Sequence, residues 1–259
     1  MKVKTTAKDS QLEVEIELNE KQSISCILTP PDGDVSFVDI LPEIYTIYNK
    51  VLQSTLEEHS MNGLHTKCDK GCETCCHQLI TVSIHEAILL VHLVNSMKEP
   101  ERSRRKNAFD KILDKLEEKG LLKDLLDFHV NKFADKTNII NIQKEYWQLN
   151  QNCPFLVDDS CSIYPFRPFI CRQYLVSSDP AYCKGSFEND HLVKKIPLTH
   201  DFASSAASFD GEEAIFTRGI PLPTIFLING LLTYFPRPKA PAVEMITRFL
   251  NHVDEFFSK

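Results

Sequence analysis

The chain has 259 residues and a formal net charge of −7, with hydrophobic and charged fractions that are ordinary for a globular protein. The acidic balance argues against a nucleic-acid-binding protein, because such recognition needs basic patches. One short run is basic (Arg102, Arg104, Arg105 and Lys106), and we interpret it as the solvated face of a helix. Residues 225–232 form the longest apolar stretch near the C-terminus, which is too short to span a bilayer. No secretory signal is evident, so we expect a cytoplasmic protein without a membrane partner, whose thiols stay reduced.

The N-terminal segment predicts a β-hairpin. Residues 12–18 alternate strictly between apolar and polar side chains, which is typical of a strand with one wet face. Residues 24–28 can return as a second strand after a turn at 19–22. Cys26 lies in that second strand, away from the other cysteines, and we expect it to be a core residue.

Helical patterns dominate the rest of the chain. The sequence Ser83-Ile-His-Glu86 is a capping-box pattern, so a helix should begin there, and Gly120 should break a later one. The predicted helical segments are residues 37–60, residues 84–97, two or three helices within 102–150, and a closing amphipathic helix at 240–258.

These elements predict a mainly α-helical fold. We expect a single helical domain with a small N-terminal β-hairpin and a Cys-rich irregular region around a metal centre. Residues 1–36 would be an N-terminal extension, 37–200 the cysteine-cluster metal-binding domain, and 201–259 a C-terminal loop and helix packed on the same domain.

Eight of the nine cysteines fall into two groups that are far apart in the sequence. Clustered cysteines in a reducing compartment indicate metal binding or redox chemistry before they indicate disulfides. Soft thiolates select zinc, copper(I) or iron–sulfur clusters, and four thiolates suit a structural zinc site and a [4Fe–4S] cluster equally well. The candidate metal ligands are Cys68, Cys72, Cys75 and Cys76 in the N-terminal group, and Cys153, Cys161, Cys171 and Cys183 in the C-terminal group.

The adjacent pair Cys75 and Cys76 limits how the N-terminal group can bind metal. We expect a helix beginning near residue 68, whose spacing would place the four sulfurs on one face. If the segment is a tight turn instead, its spacings still let several thiolates converge on one ion. Two neighbouring thiolates reach one tetrahedral ion awkwardly, so the pair would serve two metal atoms, or one thiol would be a ligand and the other would lie outside the coordination shell. We therefore expect the two cysteine groups to meet in space. His77 could replace a cysteine, although nothing in the sequence favours this.

The C-terminal group lies in an irregular, proline-rich stretch, residues 151–186, which we expect to be an ordered loop region held by a metal. Arg167 and Arg172 flank Cys171. Their guanidinium groups would offset the negative charge of a thiolate site and donate hydrogen bonds to sulfur, which makes them the predicted cofactor-binding residues. The alternative, that both arginines form surface ion pairs, stays open.

Two distant motifs together carry a family resemblance. They are Cys68-Asp-Lys-Gly-Cys72-Glu-Thr-Cys75-Cys76, and then Cys153-Pro-Phe-Leu156, Cys161-Ser-Ile-Tyr164 and Arg167-Pro-Phe-Ile-Cys171-Arg172. Over about residues 65–185 the chain resembles the YkgJ-type cysteine-cluster family, and the resemblance implies chelation of zinc or iron. One relative with the same kind of cluster, flagellin lysine N-methylase, transfers a methyl group from S-adenosylmethionine.

We therefore expect a metal-binding protein, with zinc or an iron–sulfur cluster in a structural or redox role. The alternative is an iron–sulfur enzyme, either an S-adenosylmethionine-dependent protein lysine N-methyltransferase or an oxidoreductase. Its pocket beside the metal would be lined by Tyr164, Arg167, Arg172, Tyr174 and a helix face shared by His85 and His92. In a third hypothesis, zinc holds the loops in place for an unidentified protein partner. The metal, the catalytic residues and the partner stay open.

Overall fold

The computed structural model describes residues 2–8, 11–19, 22–69, 71–130, 136–185, 187–215 and 219–257. The chain packs into two compact units. The first unit comprises Met1–Thr66, Ile196–Phe216 and Phe235–Lys259, and the second comprises Lys67–Lys195 and Thr217–Tyr234. The units do not follow the predicted ranges 1–36, 37–200 and 201–259. The predicted ranges refer to units of folding, which the packing of the chain does not test, so they stay a prediction.

Helices predominate, and strands are short outside the N-terminal segment, which confirms the mainly helical fold class. The α-helices are α1 (Leu41–Met61), α2 (Ile84–Ser96), α3 (Glu101–Glu118), α4 (Leu121–Val130), α5 (Lys136–Gln148), α6 (Phe169–Gln173), α7 (Phe202–Ala207), α8 (Asn229–Leu232) and α9 (Ala242–Phe257). The strands are β1 (Lys2–Lys8), β2 (Gln11–Asn19), β3 (Gln22–Leu28), β4 (Asp34–Val35), β5 (Thr81–Val82), β6 (Leu156–Val157), β7 (Ser160–Cys161), β8 (Ile220–Pro221) and β9 (Ala240–Pro241). Within the described ranges, every helix is too short or too polar to cross a membrane.

The N-terminal β-structure is a three-stranded antiparallel sheet with β2 in the centre, rather than the predicted hairpin. Leu12, Val14 and Ile16 of β2 are buried, as the alternation predicts. The prediction missed β1 because Val3 is the one large apolar residue in its sequence, so its apolar/polar alternation is weaker than that of β2. Residues 20 and 21 of the predicted turn lie outside the described residues.

The core of the first unit is aromatic. Helix α1 packs against β3, where Cys26 is 7% exposed, so its predicted core position is confirmed. The ring of Phe37 lies 4.5 Å from that of Phe249 and 5.2 Å from that of Phe209, measured between centroids. Helix α9, which the periodicity predicted, supplies Phe249 and pairs with α7. Its buried face explains why this C-terminal segment is ordered.

The second unit contains the consecutive helices α2 to α5. The predicted break at Gly120 is confirmed, since this residue has a φ of +72° and separates α3 from α4. Helices α3, α4 and α5 share a core with Leu79. Its buried members are Leu79, Ile112, Leu116, Leu121, Leu125, Ile142 and Tyr146.

The capping box at the start of α2 is confirmed. The backbone N–H of Glu86 donates to the Ser83 hydroxyl (3.1 Å), and the Glu86 carboxylate accepts from the Ser83 N–H (2.9 Å). The histidines on this helix do not share an environment, because His85 is fully buried and His92 is exposed. His85 is buried because the first turn of α2 is enclosed by its surroundings.

Candidate metal centre

The N-terminal cysteine group does not lie on an α-helix, so the helix expected to begin near residue 68 was wrong. Gly71 has a φ of +93°, a conformation that an α-helix cannot include. A turn precedes the next cysteine, with the Cys72 N–H donating to the Asp69 carbonyl (3.1 Å). A short 3₁₀-helix, Thr74–His77, then carries Cys75 and Cys76.

The 3₁₀-helix explains how two adjacent cysteines can act separately. This helix has about three residues per turn, so neighbouring side chains project about 120° apart around its axis. Cys75 and Cys76 therefore diverge, and each can interact with different thiols.

Short elements also position the C-terminal group. Strands β6 and β7 form a hairpin whose two turn residues, Asp158 and Asp159, both have positive φ, as the two-residue turns that suit hairpins require. This hairpin places Cys161 opposite Leu156. Helix α6 carries Cys171, and a 3₁₀-helix, Pro180–Gly185, carries Cys183. The predicted irregular region is thus an ordered series of short elements.

Backbone hydrogen bonds bring the two cysteine groups together, as expected. The Cys153 N–H donates to the Cys76 carbonyl (2.7 Å), which joins the two segments next to their thiols. The Val176 N–H donates to the Cys68 Sγ atom (3.3 Å), and the Lys67 N–H donates to the Val176 carbonyl (2.8 Å). An N–H donor that points at sulfur is a feature that stabilises a thiolate.

Electrostatic interactions divide the eight thiols into two sets of four. The pKa of Cys75 is raised to about 12, first by burial and then, in order of size, by the thiols of Cys183, Cys68, Cys72 and Cys76. Burial also raises the pKa of Cys183, and Cys68 and Cys72 add to this effect. Since Coulomb interactions weaken with distance, these four thiols are mutual neighbours. We call Cys68, Cys72, Cys75 and Cys183 the outer set, because Cys72 is exposed to solvent.

The other four thiols interact in the same way. The pKa of Cys153 is raised to about 12, mainly by burial, and the thiols of Cys76 and Cys161 contribute to this rise. The pKa of Cys171 is raised well above its usual range. Burial is the largest cause, and the thiols of Cys153, Cys161 and Cys76 also raise it, in that order. Burial raises the pKa of Cys76 to about 11, and Cys161 is the next largest cause.

This second set takes one thiol from the N-terminal group and three from the C-terminal group. Two interactions, Cys75 with Cys76 and Cys72 with Cys76, cross between the sets. Among the described residues, no three His, Cys, Asp or Glu side chains already stand at ion-holding positions. The partition therefore rests on the interactions between the thiols and on the segments that carry them.

Three arginines act on this second set, which we call the arginine-flanked set. Arg167 and Arg172 oppose the rise in the pKa of Cys161, and Arg167 does the same for Cys76. Arg172 is 2% exposed and fixed in place, because its Nε donates to the Arg167 carbonyl (2.8 Å) and its Nη2 to the Pro165 carbonyl (2.6 Å). The guanidinium of Arg167 lies 4.2 Å from the centre of the Tyr164 ring.

The third arginine, Arg105, was not among the predicted site residues. It is 7% exposed, its Nη1 donates to the Pro154 carbonyl (2.6 Å), and its charge opposes the rise in the pKa of Cys153. The interpretation of its basic run as a solvated face was wrong for this residue. A signal was present, because Arg105, Phe109, Ile112 and Leu116 are spaced as one helix face, and all four are buried.

The donors and charges around the arginine-flanked set fit a thiolate-bound metal or cluster. The Nε of Arg167 is buried and has no hydrogen-bond partner within the described part of the chain, which leaves a cationic donor near Cys76 and Cys161. A buried N–H without a partner is costly, and a thiolate sulfur of a metal site is an acceptor that would satisfy it. The Nδ1 of His77 is likewise buried and unpaired among the described residues.

Glu86 links α2 to the segment that carries Cys171. One carboxylate oxygen accepts from Ser83 in the capping box, and the other accepts from the backbone N–H of Phe169 at the start of α6 (2.8 Å). Glu86 is 2% exposed, and its charge is one of the causes that raise the pKa of Cys171. It therefore positions a candidate ligand without being one.

Replacing Glu86 by alanine is expected to lower the free energy of unfolding by about 2–4 kcal/mol, because the buried N–H groups of Ser83 and Phe169 lose their acceptor. Chemical denaturation followed by circular dichroism measures this. His92→Ala, at an exposed position of the same helix, should change the stability by less than about 0.5 kcal/mol. Equal effects of the two substitutions would contradict a positioning role for Glu86.

The side chains proposed to line an enzyme pocket lie in different places. Tyr174 interacts with the thiols of Cys75 and Cys183, so it lies beside the outer set. Tyr164 is 55% exposed and packs on Arg167 of the other set.

Eight cysteines that lie close together on short elements are typical of the cysteine-cluster class of proteins, whose thiols suit soft metals. Residues 67–192 match the sequence model of the CxxCxxCC family, which is described as a "Putative zinc- or iron-chelating domain". No curated protein and no solved structure matches the chain significantly. The family match confirms the resemblance to a zinc- or iron-chelating cysteine-cluster domain.

Proposed function

We propose that residues 67–192 bind two thiophilic metal ions, one in each thiol set. The observation that carries the proposal is the division of the eight thiols into two sets of four that mutually interact. Four thiolates are the number that a closed zinc site needs, and each set has that number. The divergence of Cys75 and Cys76 on the 3₁₀-helix allows both sites to be complete at once.

The metal would have a structural role, because the ligands come from segments far apart in the sequence. A metal in the arginine-flanked set would join the 3₁₀-helix, the β6–β7 hairpin and helix α6. Structural zinc contributes roughly 10 kcal/mol or more to the folding of small domains, so the Cys-rich region would depend on it for order. When bound, the metal supplies crosslinks that the short elements of this region lack.

An iron–sulfur cluster in the arginine-flanked set is a second candidate. It is favoured by the unpaired Nε of Arg167 and by the desolvation that raises the pKa of Cys153 and Cys171, because N–H donors and the exclusion of solvent tune such clusters. The methyltransferase and oxidoreductase alternatives, and the unidentified protein partner, stay predictions.

Anaerobic purification followed by elemental analysis, a sulfide assay and a visible spectrum of the same sample tests the proposal. Two zinc ions per chain without colour would support two structural sites. Iron with sulfide and visible absorption would support the cluster. A protein with neither metal, which also fails to bind two zinc ions after reduction and reconstitution, would overturn the proposal.

A further inference from the structure

A cleft of about 380 Å³ lies in the second unit, between the end of helix α5 and the segment that follows Cys183. Lys144, Trp147 and Gln148 lie at spacings of three and four on one face of α5 and form one wall together with Asn150. The opposite wall consists of Lys184, Gly185, Phe187 and Glu188. A concave site of this volume suits a small molecule.

Both walls of the cleft continue into the segments that carry the cysteines. Lys184 follows Cys183 on the 3₁₀-helix Pro180–Gly185. The centre of the Trp147 ring lies 6.3 Å from that of His77, the residue after Cys76. The cleft therefore lies beside the candidate metal centre, while its lining contains no cysteine.

The backbone of the second wall is strained and held in shape. Phe187 has a φ of +71°, a conformation that bulky residues rarely adopt. Its N–H donates to the Asp190 carboxylate (3.3 Å). The N–H groups of Glu188 and Asn189 donate to the Gly185 carbonyl (3.1 and 2.7 Å). Strain of this kind is concentrated at binding and catalytic sites, so it marks this wall as a candidate for function.

The charge of the cleft is positive although the chain has a net charge of −7. Lys144 and Lys184 line the cleft with one carboxylate, that of Glu188. Within the described ranges, neither lysine side chain has an ion-pair or hydrogen-bond partner. Two unpaired ammonium groups suit a phosphate, which lysine binds as a point charge, and they repel a cationic ligand.

The other side chains of the cleft suit a planar ring with polar edges. Trp147 and Phe187 offer aromatic surfaces on which such a ring can stack. The indole N–H of Trp147 has no acceptor in the described part of the chain. The amides of Gln148 and Asn150 supply both donors and acceptors for the edge of a nitrogen heterocycle.

We infer that this cleft binds a nucleoside phosphate. The base would lie against Trp147 and Phe187, the phosphate would bind Lys144 and Lys184, and Glu188 would accept from the sugar hydroxyls. Two lysines suffice for a mononucleotide, whereas nucleic acid needs a more extended basic surface. The inference goes beyond the proposed metal binding and does not depend on which metal the thiols hold.

The test is a titration of the reduced, full-length protein, as isolated, with adenosine 5′-monophosphate. Trp147 is the single tryptophan of the chain, so its fluorescence reports directly on this cleft. Excitation at the red edge of the indole absorption avoids absorption by adenine. A saturable change with a Kd between about 1 μM and 1 mM is expected, and adenosine and inorganic phosphate should each bind at least about tenfold more weakly.

Matched variants locate the site and separate its two parts. Lys144→Met should weaken the binding of adenosine 5′-monophosphate by about tenfold and leave that of adenosine unchanged, because only the phosphate loses a partner. Lys115→Met removes an exposed lysine of α3 outside the cleft and should change neither affinity. Phe187→Ala should weaken both ligands. Circular dichroism checks the fold of each variant, and equilibrium dialysis with labelled nucleotide repeats the measurement without fluorescence.

Four results would overturn the inference. They are the absence of saturable binding up to about 10 mM nucleotide, equal affinities for adenosine and adenosine 5′-monophosphate, equal effects of Lys144→Met and Lys115→Met, and tighter binding of a short single-stranded RNA than of the mononucleotide. None of them bears on the metal content, so failure of this inference and failure of the proposed function are distinguishable.

Discussion

Replacing Cys171 by serine is expected to reduce the bound metal from two equivalents to one and to lower the free energy of unfolding by at least about 3 kcal/mol. Cys171 interacts with the three other thiols of the arginine-flanked set, and it is strongly desolvated. A serine hydroxyl is a poor ligand for a soft metal, so the site loses a quarter of its coordination shell. Elemental analysis gives the metal content, and denaturation of the holoprotein gives the stability.

Cys26→Ala is the control for this prediction. Cys26 is buried in β3, outside both thiol sets, and its Sγ contacts the Val14 carbonyl at 3.9 Å. Its loss should cost about 1 kcal/mol through packing and leave both metal equivalents bound. Retention of two equivalents by Cys171→Ser would show that Cys171 is not a ligand.

Lowering the pH by one unit is expected to weaken metal binding at each set by up to about 10⁴-fold over the neutral range. The metal binds thiolates, whereas burial raises the pKa of Cys75 and Cys153 to about 12 and that of Cys76 to about 11, so the metal-free thiols are protonated. Four protons must leave each set when one ion binds. Competition against a chelator of known affinity between about pH 6 and pH 8 measures the slope, and proton release in weak buffer measures the stoichiometry.

The metal-free protein should show the opposite trend at alkaline pH. These thiols have a pKa above the ordinary value of 9.0, so the folded state holds its protons more tightly than the unfolded state does. Their contribution to stability is complete below about pH 9 and is lost as the pH rises toward 11 to 12. Denaturation of the metal-free protein across this window checks the sign. Constant stability between pH 9 and 11 would contradict the burial of these thiols.

Much of the local structure follows from the sequence alone, because its causes are local. Strict alternation over residues 12–18 specifies β2, the pair Ser83 and Glu86 specifies the start of α2, and Gly120 ends α3. The eight clustered cysteines likewise specify the chemistry, since soft thiolates select soft metals wherever the chain places them. The adjacency of Cys75 and Cys76 also predicted that the two thiols would bind different metal atoms, or that one would be a ligand and the other would lie outside the coordination shell.

The division of the thiols into two sets is a property of the tertiary structure. Spacing in the sequence predicted a single helical face for the N-terminal group, whereas Gly71 and the 3₁₀-helix direct Cys75 and Cys76 toward different partners. Cys183 lies far along the chain from Cys68 and Cys72, yet its thiol interacts with both. Contacts between residues so far apart in the sequence depend on how the loops pack in space. No periodic pattern of residues in the sequence predicts that packing.

The environment of the thiols was also decided by the tertiary structure. Arg105 is one residue of a basic run. Its spacing from the apolar residues of α3 separates it from the exposed Arg104, but only the packing of α3 against the Pro154 segment supplies the carbonyl to which it donates. The sequence identifies Glu86 as part of the capping box of α2. Its second role, as acceptor for the Phe169 N–H, requires α6 to lie against the start of α2. The sequence by itself therefore determined which candidate ligands this protein has for a metal. Tertiary packing decided which thiols are neighbours and which charges surround them, because desolvation and Coulomb interactions depend on distances in space rather than along the chain.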